Sequence, residues 1–279
     1  KEENQATEAV SEGETEAAEA SDSQKKTEYP VTITTYGSDG LELETTYEKA
    51  PEKVLAVYQG CIETLLALGL EDHIVATAGL DNEVPEDQKA AFSKTDYLDE
   101  FTPSLETVTM LEPDMILGWW STFGEKRLDG TDFWQERGVK TYMAENSNSI
   151  VQNRTLQNEY DYVLDLGKIF DVEDKAQAIV DEIQAQVQQI VDQSKDMEKR
   201  SALIIEFLGD SIYTYDKTTL GGDMAITVGA DLLDTPEQTI GLEDLIELDP
   251  QVIFVVYMDG DEEGMAEKSV ANVTGNEAL

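Results

Sequence analysis

The sequence predicts an α/β protein of two lobes, each built on a mainly parallel sheet and joined by one long α-helix. Three observations carry that expectation. From Val172 to Lys199, apolar residues fall at Val172, Ala176, Ile179, Val180, Ile183, Val187, Ile190 and Val191. These are the steps of one helix face, with no Gly or Pro to interrupt it. A motif is repeated on either side of that stretch: Ser104-Leu-Glu-Thr-Val-Thr-Met-Leu-Glu-Pro-Asp-Met-Ile-Leu117 and Gly241-Leu-Glu-Asp-Leu-Ile-Glu-Leu-Asp-Pro-Gln-Val-Ile-Phe254. Leu105/Leu242, Glu106/Glu243, Leu111/Leu248, Pro113/Pro250 and Ile116/Ile253 are identical at one constant offset, the 137 positions from Pro113 to Pro250. Short apolar runs also alternate with helical patterns along both halves, which is how βα units read in sequence.

The chain divides accordingly. Residues 1–28 are rich in Glu, Ala, Ser and Thr without periodicity, the composition of a disordered acidic tether. Such a stretch also suits the spacer behind the lipid-bearing Cys of an exported lipoprotein. Residues 29–170 form the first α/β lobe, 171–199 the connecting helix and 200–279 a second α/β lobe.

The first lobe opens on a hairpin from Tyr29 to Pro51, where two alternating runs flank Gly37-Ser-Asp-Gly40. Val54–Val57 reads as a buried strand, Tyr58-Gln-Gly60 as a tight turn, and Cys61–Leu68 as a helix closed by Gly69. Further strands are expected at His73–Ala78, Met115–Trp119 and Val139–Met143, with helices at Phe133–Arg137 and Arg154–Phe170. Asp171 is placed to cap the connecting helix, with Asp174 as the matching acid. The second lobe starts with the strand Ala202–Phe207, a hairpin arm at Ser211–Tyr215 and a helix from Gly221 to about Gly229. In both copies of the motif a short helix ends at an acidic residue and a Pro, which cannot continue it, and a buried strand follows. The second lobe has one strand and helix fewer than the first, and is expected to be truncated.

Composition limits the function. The net charge is −41, with 60 acidic residues against 19 basic ones and one His. A field of that sign repels nucleic acid and anionic membranes and disfavours anionic ligands. The single Cys, Cys61, rules out an internal disulfide, and with one His it leaves no zinc set. No catalytic residue and no protein metal site are expected.

In open sheets of this kind ligands lie beyond the carboxyl ends of the strands. Those ends supply Tyr58, Gln59, Trp119, Trp120, Phe123, Asn146, Phe207, Tyr257 and Met258. The set is aromatic and neutral-polar, which suits a flat, largely uncharged ligand. Trp119 and Trp120 are consecutive, so they point to opposite faces. Glu106 and Glu243 stand at matched places early in their helices. They either complement the helix dipole or engage a two-fold symmetric partner bearing Arg.

With its two Rossmann-like lobes, twin Leu-Glu…Pro motifs, Glu63-Thr-Leu-Leu-Ala-Leu-Gly69 helix and leading hairpin, the chain resembles the substrate-binding proteins of ABC importers for ferric siderophores, haem and cobalamin. The resemblance implies a monomeric, extracytoplasmic, lipid-anchored protein without a cofactor. It implies an interlobe cleft that holds an iron or cobalt organic complex, a neutral or cationic hydroxamate, corrinoid or haem. It also implies that Glu106 and Glu243 dock onto Arg residues of the importer's membrane subunits. A rival reading is a two-lobed enzyme using Asp81 and Asp210 in the same cleft, and a third is an adhesin using its acidic face.

Overall fold

A computed structural model describes residues 26–148, 150–151, 153–209, 211–257 and 264–275. The first lobe begins with an antiparallel hairpin, β1 (Val31–Tyr36) and β2 (Glu42–Tyr47). Its main sheet has the order β4–β3–β5–β6 and is parallel throughout: β3 (Val54–Val57), β4 (Ile74–Ala78), β5 (Met115–Gly118) and β6 (Lys140–Met143). All four residues of β3 and of β5 are buried, because helices cover both faces of the sheet. On one face Cys61, Ile62 and Leu65 of α1 (Gln59–Ala67) pack with Leu166 and Ile169 of α5 (Leu156–Ile169). On the other, Val108 of α3 (Leu105–Leu111) and Trp134 of α4 (Thr131–Gln135) close over Leu55, Val57 and Ile116. The hairpin lies along the β6 edge, where Thr35 Oγ1 accepts the Met143 amide at 2.9 Å. A short helix α2 (Lys89–Phe92) lies in the long β4–α3 connection.

The connecting helix α6 is Glu173–Ser194, 22 residues or about 33 Å, shorter than the expected Val172–Lys199. Asp171 does not cap it. The N-cap is Val172, without a side-chain hydrogen bond, and Asp171 adopts the left-handed conformation at φ 56°. Its carboxylate instead accepts the Thr27 amide at 2.7 Å. Thr27 Oγ1 contacts Lys168 O at 3.0 Å and Glu173 Oε1 at 2.9 Å, and Tyr29 Oη donates to Ile169 O at 2.7 Å. A strap from the leading segment therefore ties the end of α5 to the start of α6. Residues 1–25 of the expected tether lie outside the described residues, whereas Thr27 is buried. The apolar stripe of α6 is buried only in its first two turns, at Ala176 and Val180, while Ile183 and Ile190 face solvent.

The second lobe has the sheet order β10–β8–β7–β11, with β9 also on β7: β7 (Ser201–Leu208), β8 (Ser211–Thr214), β9 (Asp231–Leu232), β10 (Thr239–Ile240) and β11 (Val252–Val256). β9 and β11 run parallel to β7, but β8 and β10 are antiparallel additions, so this sheet is mixed. α7 (Leu220–Thr227), α8 (Leu242–Leu248) and α9 (Met265–Thr274) complete it. The sequence repeat is a structural one. α3 and α8 occupy matched bounds, and each ends on a left-handed residue before Pro, Glu112 at φ 49° and Asp249 at φ 41°. The residue before Pro thus leaves the right-handed helix for the left-handed region, not for extended backbone. Among the described residues no helix is long and apolar enough to cross a membrane.

Candidate functional site

The four parallel strands of the first lobe end on one side, and the side chains that follow them set the candidate site. After Val57 the chain turns on Tyr58 itself, at φ 81° and ψ 149°, so Tyr58 is the N-cap of α1 and Gln59 and Gly60 are already helical. The Tyr58 amide donates to Ala78 O at 2.9 Å, which holds the turn against the end of β4. Gly79 lets both Tyr58 and the loop of Phe101 come close: a Cβ there would stand 3.3 Å from Tyr58 N and 2.7 Å from Phe101 O. On this frame the Tyr58 ring meets Phe101 and Trp119, each with centroids 5.3 Å away, the first edge-on and the second tilted. Ser121 Oγ donates to Tyr58 Oη at 3.1 Å. Trp119 and Phe101 are each 46% exposed, so the three rings form a shelf with open faces. Arg127 reaches this side of the lobe, where its Nη1 donates to Thr102 Oγ1 at 3.2 Å.

Other expected site residues are engaged within the fold. Trp120 does point away from Trp119: its Nε1 donates to Ser38 O in the hairpin turn at 3.1 Å, and its ring packs on the core. Phe123 is buried in that core. Asn146 braces the start of α5, donating to Thr155 O at 2.8 Å and accepting the Thr155 amide at 3.0 Å. Gln59 Oε1 accepts the amides of Asp81 and Asn82 at 3.1 and 3.0 Å, which fixes the loop after β4. Beyond that loop a cavity of about 610 Å³ is lined by Leu80, Asp81, Val84, Phe92 and Tyr97.

In the second lobe Phe207 packs against the Leu203–Ile205–Ile212 core, and Tyr257, just past β11, is 41% exposed. Met258 and Asp210 lie outside the described residues. Phe101 is the site residue that sequence reasoning misses: it stands in a stretch without periodicity, and only its place after Asp99-Glu100 and before Pro103 marks a turn.

Glu106 and Glu243 are exposed in the first turns of α3 and α8. Each helix runs back against its sheet to feed β5 or β11, so its N-terminus lies at the level of the strands' carboxyl ends. The two acids therefore stand on the side of their respective lobes where the strands' carboxyl ends lie. The helices are started differently, by Ser104 Oγ accepting the Thr107 amide at 3.1 Å and by Asp244 Oδ2 accepting the Gly241 amide at 2.8 Å. Neither glutamate forms an ion pair among the described residues. Nor does any group of three or more His, Cys, Asp and Glu there stand ready to hold a metal ion.

Burial pushes the Cys61 thiol up to about 12, as befits a residue with no solvent access. His73, the only His, donates from Nδ1 to Pro51 O at 2.6 Å, at the opposite end of the sheet.

A family model described as periplasmic binding protein matches residues 54–274. Among solved structures, a periplasmic binding protein from Veillonella parvula is 36% identical, with 91% of this chain and 81% of that one covered and a TM-score of 0.82. A protein of an ABC-type Fe3+-hydroxamate transport system from Saccharomonospora viridis is 22% identical over 90% of this chain and 88% of that one, with a TM-score of 0.70. The periplasmic vitamin B12 binding protein BtuF of Vibrio cholerae is 17% identical over 81% and 82%, at 0.57. The last two likenesses are of fold. No curated protein matches the chain.

Proposed function

We propose, because the chain belongs to the periplasmic binding protein family, whose members bind substrates for transport and are not enzymes, that it captures an iron or cobalt organic complex between its lobes and hands it to an ABC importer. Membership carries an extracytoplasmic location. In this reading the protein acts as a monomer, is held at the membrane by a lipid on its N-terminal side, and carries no cofactor beyond its cargo.

The observation that supports the ligand class is the aromatic shelf of Tyr58, Phe101 and Trp119. Open ring faces favour a broad, weakly charged ligand. The net charge of −41 opposes a polyanion. A neutral or cationic ferric hydroxamate, a corrinoid or a haem meets those terms. Tyr257 faces the ligand from the second lobe, while Gln59, Trp120, Phe123, Asn146 and Phe207 support the wall. Glu106 and Glu243 dock on arginines of the two membrane subunits.

The test is a titration with ferrioxamine B, cyanocobalamin and haem, followed by tryptophan fluorescence. One of the three should quench Trp119, and Trp119→Phe should remove the signal and weaken binding at least tenfold. If none binds, the ligand class is wrong. Replacing Glu106 and Glu243 by Ala should collapse uptake and leave affinity unchanged, since losing one partner of a hydrogen-bonded charge pair at an interface costs about 2–5 kcal/mol. An equal fall in affinity would remove the docking role.

A further inference from the structure

The lobes are held together by more than the connecting helix. The loop before α7 is drawn tight: Asp216 Oδ1 accepts the Thr218 amide at 2.8 Å, and Thr219 Oγ1 donates to Asp216 O at 2.7 Å. Gly222 closes the loop, since a Cβ there would stand 1.9 Å from Asp216 O. From this loop and the first turn of α7 two groups reach the first lobe. Thr218 O accepts the Arg154 amide at 2.9 Å, and Asp223 Oδ2 accepts the Leu156 amide at 2.8 Å.

Leu156 is the first residue of α5, so its amide is one of those that a helix leaves without an internal partner. A carboxylate at that position also meets the positive end of the helix dipole. From within the first lobe Thr155 Oγ1 satisfies only the Asn158 amide, at 3.2 Å. An acid of the second lobe therefore completes the cap of a helix in the first.

We propose that Asp223 is a positioning residue that sets the angle between the lobes, and with it the opening of the ligand cleft. α6 does not set that angle alone. Its buried residues, Ala176 and Val180, and the Lys175 Nζ to Leu68 O bond of 3.2 Å fasten its first half to the first lobe. Toward the second lobe it offers the 3.2 Å bond from Ser194 Oγ to Val228 O. The helix moves with the first lobe, and the Asp223–Leu156 contact restrains the second. The importance of this restraint for binding rests on the cleft being the ligand site, but its test needs no ligand.

Spin labels are placed at Met110→Cys and Glu247→Cys, matched exposed positions on α3 and α8; Cys61 is buried and takes no label. The interlobe distance distribution and the exchange rate of the Leu156 amide are then measured. Asp223→Ala should broaden the distribution and speed exchange at Leu156 about tenfold, and Asp223→Asn, which keeps an acceptor oxygen, should restore both. An Ala variant with unchanged distances and exchange overturns the proposal, as does an Asn variant that behaves like Ala. Should the Ala variant not fold, the parent protein decides: a Leu156 amide exchanging like an exposed one overturns the cap, and a protected one retained in Asp223→Asn supports it. Failure of every metal complex to bind, with these readouts intact, removes the proposed ligand and leaves the restraint standing.

Discussion

Tyr58 carries its ring on backbone that is almost reserved for glycine, at φ 81° and ψ 149°. A conformation of that kind costs about 1–3 kcal/mol and persists where the surroundings enforce it. Here the Ala78 carbonyl and the Phe101 and Trp119 rings do so. Tyr58→Gly relieves the strain and gives up aromatic packing of about 0.5–1.5 kcal/mol. The melting temperature should therefore hold or rise while ligand quenching is lost; a sharp fall in melting temperature would show that the ring is structural. Cys61 offers a second test. Its folded-state pKa of about 12 lies above the ordinary value of 9.0, because burial opposes the thiolate. The unfolded chain releases that proton more readily, so the contribution to stability is complete below pH 9 and is lost as pH rises toward 12. Denaturant midpoints should fall over that range, and more shallowly in Cys61→Ala; equal slopes in the two proteins would refute the assignment.

Among the elements, the pairing of α5 with α6 rests on a close approach. A Cβ on Gly167 would lie 2.5 Å from Ala176 Cβ and 3.3 Å from Glu173 Cα. Gly167→Ala should cost about 1–3 kcal/mol by overpacking, measured by urea denaturation; a neutral change would mean that the helices separate freely. The elements differ in how legible they are in sequence. β3 and β5 are readable because strands buried on both faces form unbroken apolar runs, and the twin α3–β5 and α8–β11 units because Pro113 and Pro250 stop their helices at the same point. But β11, expected to be buried like β5, is only half-buried, with Phe254 exposed. The candidate site is half readable. Trp119 and Tyr58 follow from the strand ends, but Phe101 reaches the shelf from an irregular loop, and Trp120 and Phe123 turn inward to contacts remote in sequence. The Thr27–Asp171 bond and the Asp223 cap join residues 144 and 67 positions apart, a scale at which local pattern is silent. The hairpin arm expected at Ser211–Tyr215 is β8, antiparallel to β7, whereas the two-residue edge strand β10 has too few residues to show a pattern.

Over the whole molecule, charge outweighs any single contact. With −41 spread over 279 residues, self-repulsion opposes the folded state and is screened within about 8–10 Å at physiological ionic strength. Raising NaCl from 10 to 200 mM should therefore raise the melting temperature by a few degrees, and a fall would show that specific ion pairs outweigh the repulsion. Ion pairs such as Lys49–Glu52 and Lys89–Glu83 are exposed and are worth little. The Thr27 strap adds one practical consequence at this scale. It sits at the foot of α5, beside His73 at the beginning of β4, whereas Tyr58 and Trp119 stand at the strands' far ends. A biosensor chip coupled through the leading segment would hold the molecule by its heel, with the proposed binding mouth turned to the flowing sample.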